Sequence, residues 1–153
     1  RHRWLGDHVA PWIALPIFLL LLPLLLLRGL IHIAVSVVLH ILVWSRHRTW
    51  VVLVYSDSPK WKDHIESQII PTLPAGSVVL NRSVSWSKNS LAGRVYRHFG
   101  GHHEFCPIGI VFYRWQWVQR FRFFRPFQDA KHGNLTPLNS VQAAFAAAVQ
   151  NGR

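Results

Sequence analysis

This chain is short of reactive side chains. It has one cysteine, Cys106, and only six acidic residues among 153. A single thiol excludes an internal disulfide framework and a C-x-x-C redox pair. It fits a reducing compartment without requiring one. No paired carboxylates, no phosphate-cradling glycine loop and no nucleophile elbow stand in the sequence. That removes the enzyme classes easiest to read from motifs. What remains abundant is apolar surface and positive charge.

Residues 12–43 form a nearly unbroken apolar run. As a helix it would be roughly 48 Å long, against a hydrocarbon core of ~30 Å. The run lacks a small-residue cleavage site, so a membrane segment over 12–44 is expected rather than a signal peptide, behind a short tail at 1–11. The first residue is Arg, which suggests a trimmed or late-starting N-terminus. Pro16, Pro23 and Gly29 are places where the helix could kink. One kinked span is the preferred arrangement. A re-entrant hairpin turning at Arg28-Gly29 is the alternative. Trp4, Trp12, Trp44 and Trp50 bracket the run as interfacial aromatics do.

Four polar residues interrupt the run: Arg28, His32, Ser36 and His40. Their spacing of four lines them along one helix face. A charged group facing lipid is unfavourable, so such a stripe usually meets partner helices. A second expectation is axial ligation of a haem or chlorophyll by His40 or His32. The segment Ser36-Val37-Val38-Leu39-His40-Ile41-Leu42-Val43-Trp44, continued by Arg46 and Trp50, resembles the span of bacterial light-harvesting polypeptides. The likeness implies His40 as the pigment ligand, with a small residue four positions before it. The chain is longer than members of that family.

Seventeen Lys and Arg give a formal charge of +11. Residues 46–153 carry 14 basic and five acidic residues, a formal +9. Such a domain suits an anionic lipid surface first, then an acidic protein face, with nucleic acid last. Arg46, Arg48, Lys60 and Lys62 outnumber Arg1 and Arg3 beside the span. That balance places the domain on the cytoplasmic side of a bacterial inner membrane.

Beyond Trp50 the pattern becomes α/β. Val51–Tyr55 reads as a strand buried on both faces. Ser56-Asp57-Ser58-Pro59 reads as a helix start, with Trp61, Ile65 and Ile69 on one stripe. Residues 77–81 form a second strand, parallel to the first. Ser90 opens a helix with Leu91, Val95 and Phe99 inward, stopped at Gly100-Gly101. Residues 107–113 and 120–127 read as an antiparallel pair. Ser140 caps a last helix to Gln150, with Val141, Phe145, Ala148 and Val149 inward.

This β-α-β-α-β-β-α order over residues 50–150 resembles the thioredoxin fold. The loop Ser56–Trp61 after the first strand and Pro107 before the third carry the likeness. It implies a cis Cys106–Pro107 bond. The loop holds no cysteine, so the usual oxidoreductase chemistry is not implied. The Y-S-D-S-P, F-G-G and following proline also resemble a group of uncharacterised bacterial membrane-associated proteins.

The candidate chemistry is sparse. Cys106 could be a thiol nucleophile, though a small, partly buried residue is the simpler account. His98, His102, His103 and Glu104 cluster near Cys106 without the spacing of a standard metal site. Asp57 reads as a turn or cap residue, and Asp63 and His64 as outward-facing. The expectation is a membrane-anchored, non-catalytic accessory or structural subunit of a larger membrane complex. Its alternatives are a thiol-dependent enzyme using Cys106, or a pigment- or haem-binding subunit of a photosynthetic or respiratory complex.

Overall fold

The computed structural model describes residues 11–46, 50–100, 106–113 and 117–151. The tail residues Arg1, Arg3 and Trp4, the flanking Arg48, and His102, His103 and Glu104 lie outside the described residues. Contacts divide the chain into two units, Arg1–Val38 and Leu39–Arg153.

The first unit is helical throughout its described part. Helix α1 (Pro11–Arg46) begins there and runs on into the second unit. Pro16, Pro23 and Gly29 do not end it, and the turn that a hairpin needs at Arg28-Gly29 is absent. Its apolar side chains stand outward: Leu20 is 73% exposed and Leu30 is 64% exposed. By length and composition the stretch Phe18–Val43 can cross a membrane.

The second unit is built on a four-stranded sheet. Its strands are β1 (Trp50–Tyr55), β2 (Val78–Asn81), β3 (Ile108–Phe112) and β4 (Gln119–Arg122). Their order is β2-β1-β3-β4. The β1–β2 pair is parallel, and the β1–β3 and β3–β4 pairs are antiparallel. Val51 to Val54 are completely buried, which explains the unbroken apolar run of β1. Alternate residues face opposite sides. Val51 and Leu53 pack with Trp61, Ile65, Ile69, Phe127 and Phe145. Val52 and Val54 pack with Val95, Tyr96 and Phe99, and with Leu39 and Val43 from the last turns of α1.

Between β1 and β2 lies α2 (Lys62–His64), which continues into a π-helical turn over Ile65–Ile69 and a 3-10 turn over Ile70–Thr72. The expected start at Ser56-Asp57 moves later, because Ser58 O accepts from Trp61 N and Lys62 N and forms a turn first. Helix α3 (Leu91–Phe99) starts as expected: Ser90 Oγ accepts from Gly93 N at 3.1 Å. The Cys106–Pro107 bond is cis, as the resemblance implied.

The fourth strand is shorter than its Arg/Phe alternation suggests. It stops at Arg122, and Phe124–Lys131 forms α4. Pro126 sits in the first turn of α4, where no intrahelical N–H bond is needed. Helix α5 (Thr136–Asn151) starts four residues before the expected Ser140. Asn134 Oδ1 accepts from Thr136 N at 3.3 Å there. Phe145, Ala148 and Val149 are buried as expected, Val141 is only partly buried, and Leu138, ahead of the expected start, is buried too.

Candidate functional site

Two polar regions stand at the end of the sheet where β1 and β2 both finish. The first joins the loop after β1 to Cys106. Parallel pairing sets Tyr55 opposite Asn81. That register brings Asn81 Nδ2 to Asp57 Oδ1, to which it donates at 2.8 Å. Lys62 Nζ lies 3.1 Å from the same oxygen. Asp57 N donates to Ser83 Oγ at 2.9 Å, and Ser83 N donates to Asn81 Oδ1 at 2.9 Å. The Asn81 hydrogen bond, then Lys62, holds the Asp57 carboxyl below the usual carboxylate range. Asp57 in turn raises the Lys62 ammonium. An ionised carboxylate so engaged is a weak proton acceptor, so this is a structural clasp rather than a general base. Asp57 thus lies in the loop after β1 and, unlike the turn or cap residue expected, bonds through its side chain to β2 and α2.

Cys106 is half-buried beside this clasp. Its thiol donates to Val54 O at 3.8 Å. Burial pushes the Cys106 thiol up, although a hydrogen bond with Ser56 and the Arg82 charge act the other way. A thiol raised in this manner stays protonated near neutrality, the opposite of what a nucleophile needs. Trp61 Nε1 donates to Ser56 O at 3.2 Å, tying the loop to the helix start. Tyr55 OH donates to Glu66 Oε1 at 2.8 Å, and burial followed by this bond raises the Tyr55 hydroxyl.

His64 does not face outward as expected. Its Nε2 lies 3.0 Å from Gln142 Oε1, and its ring meets Phe127 edge-on at 5.4 Å. Asp63 is exposed. His98 packs edge-on against Phe99 at 4.8 Å. No group of three metal-ligating residues occurs among the described residues.

The polar stripe separates along α1. Arg28 and His32 are exposed. Ser36 Oγ donates to His32 O at 2.8 Å, so part of its hydrogen bonding is met within the helix. His40 belongs to the second unit, half-buried, with its ring 5.9 Å from that of Phe112.

The second polar region was not singled out from sequence. The loop after β2 and α3 border a half-open cavity of ≈ 530 Å³ lined by Arg82, Ser83, Val84, Ser85, Trp86, Lys88 and Arg97. Sequence alone does not mark the loop 82–89, because its closeness to Arg97 depends on how α3 folds back on it. Comparison of the chain with family models, with curated proteins and with solved structures returns no match.

Proposed function

We propose that this chain is a membrane-anchored, non-catalytic accessory subunit of a larger membrane complex, carrying a thioredoxin-like domain. The observation that carries the reading is the outward-facing apolar surface of α1. So much exposed Leu, Ile and Val demands cover by lipid or protein, at ~25 cal/mol per Å² withdrawn from water. From Phe18 to Val38 the helix rises ~31 Å, which matches a hydrocarbon core of ~30 Å. Leu39 and Val43 belong to the core of the second unit, which accounts for the excess length of the apolar run.

Arg28 falls at the middle of that stretch. Facing lipid there would cost ~2.5–3.5 kcal/mol. A partner helix that covers Arg28 and His32 relieves the cost. The thioredoxin-like reading is supported by the element order through β4 and by the helices on both sheet faces. The non-catalytic reading is supported by the raised Cys106 thiol and the engaged Asp57 carboxylate. Positive charge beside the span and on exposed Arg120, Arg122 and Arg125 favours a cytoplasmic domain against anionic lipid in a bacterial inner membrane. No observation favours haem or chlorophyll on His32 or His40 over this account.

The test is alkaline carbonate washing of membranes, then mild-detergent extraction and mass spectrometry of co-purifying chains. The expected result is retention in the pellet and elution with other membrane subunits at fixed stoichiometry. Release by carbonate overturns anchoring. Retention followed by elution as a lone chain overturns the subunit assignment.

A further inference from the structure

Among the described residues, the cavity after β2 is lined by three cations and no carboxylate. Arg82, Lys88 and Arg97 line it with the Ser83 and Ser85 hydroxyls and the Trp86 ring. Like charges converging on one concavity repel each other when it is empty, and an anion reverses the sign of that interaction. The nearby Asp57 carboxylate does not line the cavity and is occupied by Asn81 and Lys62. Arginine and serine together suit a phosphate group, which accepts several charge-assisted bonds at once.

The wall is fastened in place. Arg97 Nη2 donates to Lys88 O at 3.2 Å, bringing α3 to the loop. Ser90 N and Ser90 Oγ both donate to Ser87 O, at 3.1 and 2.7 Å. Trp86 meets Tyr96 edge-on at 6.0 Å. Gly93 permits this closeness. A Cβ there would stand 2.7 Å from the Trp86 ring and 2.8 Å from Ser87 O. A wall fastened in this way loses less freedom when a ligand binds. A volume of ≈ 530 Å³ lies in the range of small-molecule sites and leaves room for a group attached to the phosphate.

We propose that this cavity is a binding site for a phosphate-bearing anion, held by Arg82, Lys88 and Arg97 beside the Trp86 ring. The site stands apart from the accessory-subunit reading, and its first test needs neither partner nor bilayer. The phosphate can come from a soluble ester or from a lipid headgroup.

The full chain, labelled with 5-fluorotryptophan in neutral-detergent micelles, is titrated with inorganic pyrophosphate at constant ionic strength. The Trp86 fluorine resonance is identified by its loss in Trp86→Phe. The expected result is a saturable shift of that resonance, weakened about tenfold by Lys88→Gln and by Arg97→Gln. The double variant Arg122→Gln/Arg125→Gln, near the β4 edge and losing one positive charge more than either site variant, should bind as wild type. In a second arm the chain sits in phosphatidylcholine nanodiscs containing phosphatidic acid, or phosphatidylglycerol at equal charge. A Trp86 shift specific to phosphatidic acid assigns the headgroup as source. A shift with pyrophosphate alone assigns a soluble ester. Absence of a shift with every probe overturns the site. Equal weakening by the Arg122/Arg125 variant also overturns it, because binding would then reflect overall charge.

Discussion

Cys106 sits where the sequence resemblance directs attention, and burial favours its protonated form. Burial raises the thiol, and its hydrogen goes to Val54 O. A raised pKa means less thiolate at any pH below it, and so slower attack on electrophiles. Near neutral pH, Cys106 in the folded chain should react with iodoacetamide more slowly than glutathione does. The rate should climb only as pH rises past the ordinary thiol pKa of about 8.5. Reaction faster than glutathione would restore the thiol-enzyme alternative. Gly109 makes a second point at this scale. A Cβ there would come within 2.5 Å of the Phe145 ring. Gly109→Ala should therefore cost about 1–3 kcal/mol in thermal or chemical denaturation, through overpacking. Combining it with Phe145→Leu should cost less than the two changes summed. Strict additivity would mean that the two residues do not press on each other. The Asp57–Asn81 bond was illegible beforehand, because it depends on the parallel register of two strands far apart in sequence.

Elements were legible where one pattern dominated. Trp61, Ile65 and Ile69 announced a core face at helical spacing, and all three are buried. Val51 to Val54 announced a strand covered on both sides, and the sheet has helices on both faces. Legibility failed where two patterns overlapped. The Arg/Phe alternation of residues 120–127 fits a strand, yet the chain leaves β3 after Arg122 and coils into α4, burying Phe127. Local alternation could not reveal where pairing would stop. Helix α5 begins at Thr136, ahead of the cap that Ser140 suggested. The apolar run of α1 concealed a further division, since its last turns serve the second unit. Leu39 is 5% exposed and Val43 is 1% exposed, whereas Ile41 is 54% exposed. Leu39→Ala should lower the stability of the second unit by about 2–5 kcal/mol. Ile41→Ala should change it by much less. Equal effects, measured by denaturation in the same detergent, would remove Leu39 from that core.

At the scale of the whole molecule, apolar surface and positive charge are arranged separately. The residues of α1 are uncharged except for Arg28, its histidines and the terminal Arg46, and cations collect on the α/β unit. Such a division suits a chain that is held by one part and presents the other to an anionic face. Composition made this division readable without any structure. The basic cavity beside α3 was not readable, because loop and helix have to meet before Arg82, Lys88 and Arg97 surround one space.

The central claim is that α1 packs on partner helices through its polar face. Competition between the native chain and Arg28→Leu/His32→Leu for incorporation into the complex tests it most directly. The two forms are co-expressed with different tags, and their ratio in the purified complex is compared with their ratio in the membrane. Each lost interhelical hydrogen bond should cost roughly 0.6–2 kcal/mol. The expected result is a variant that inserts at least as well as the native chain and is depleted several-fold in the complex. Equal incorporation of the two forms, with both fully inserted, would contradict the claim.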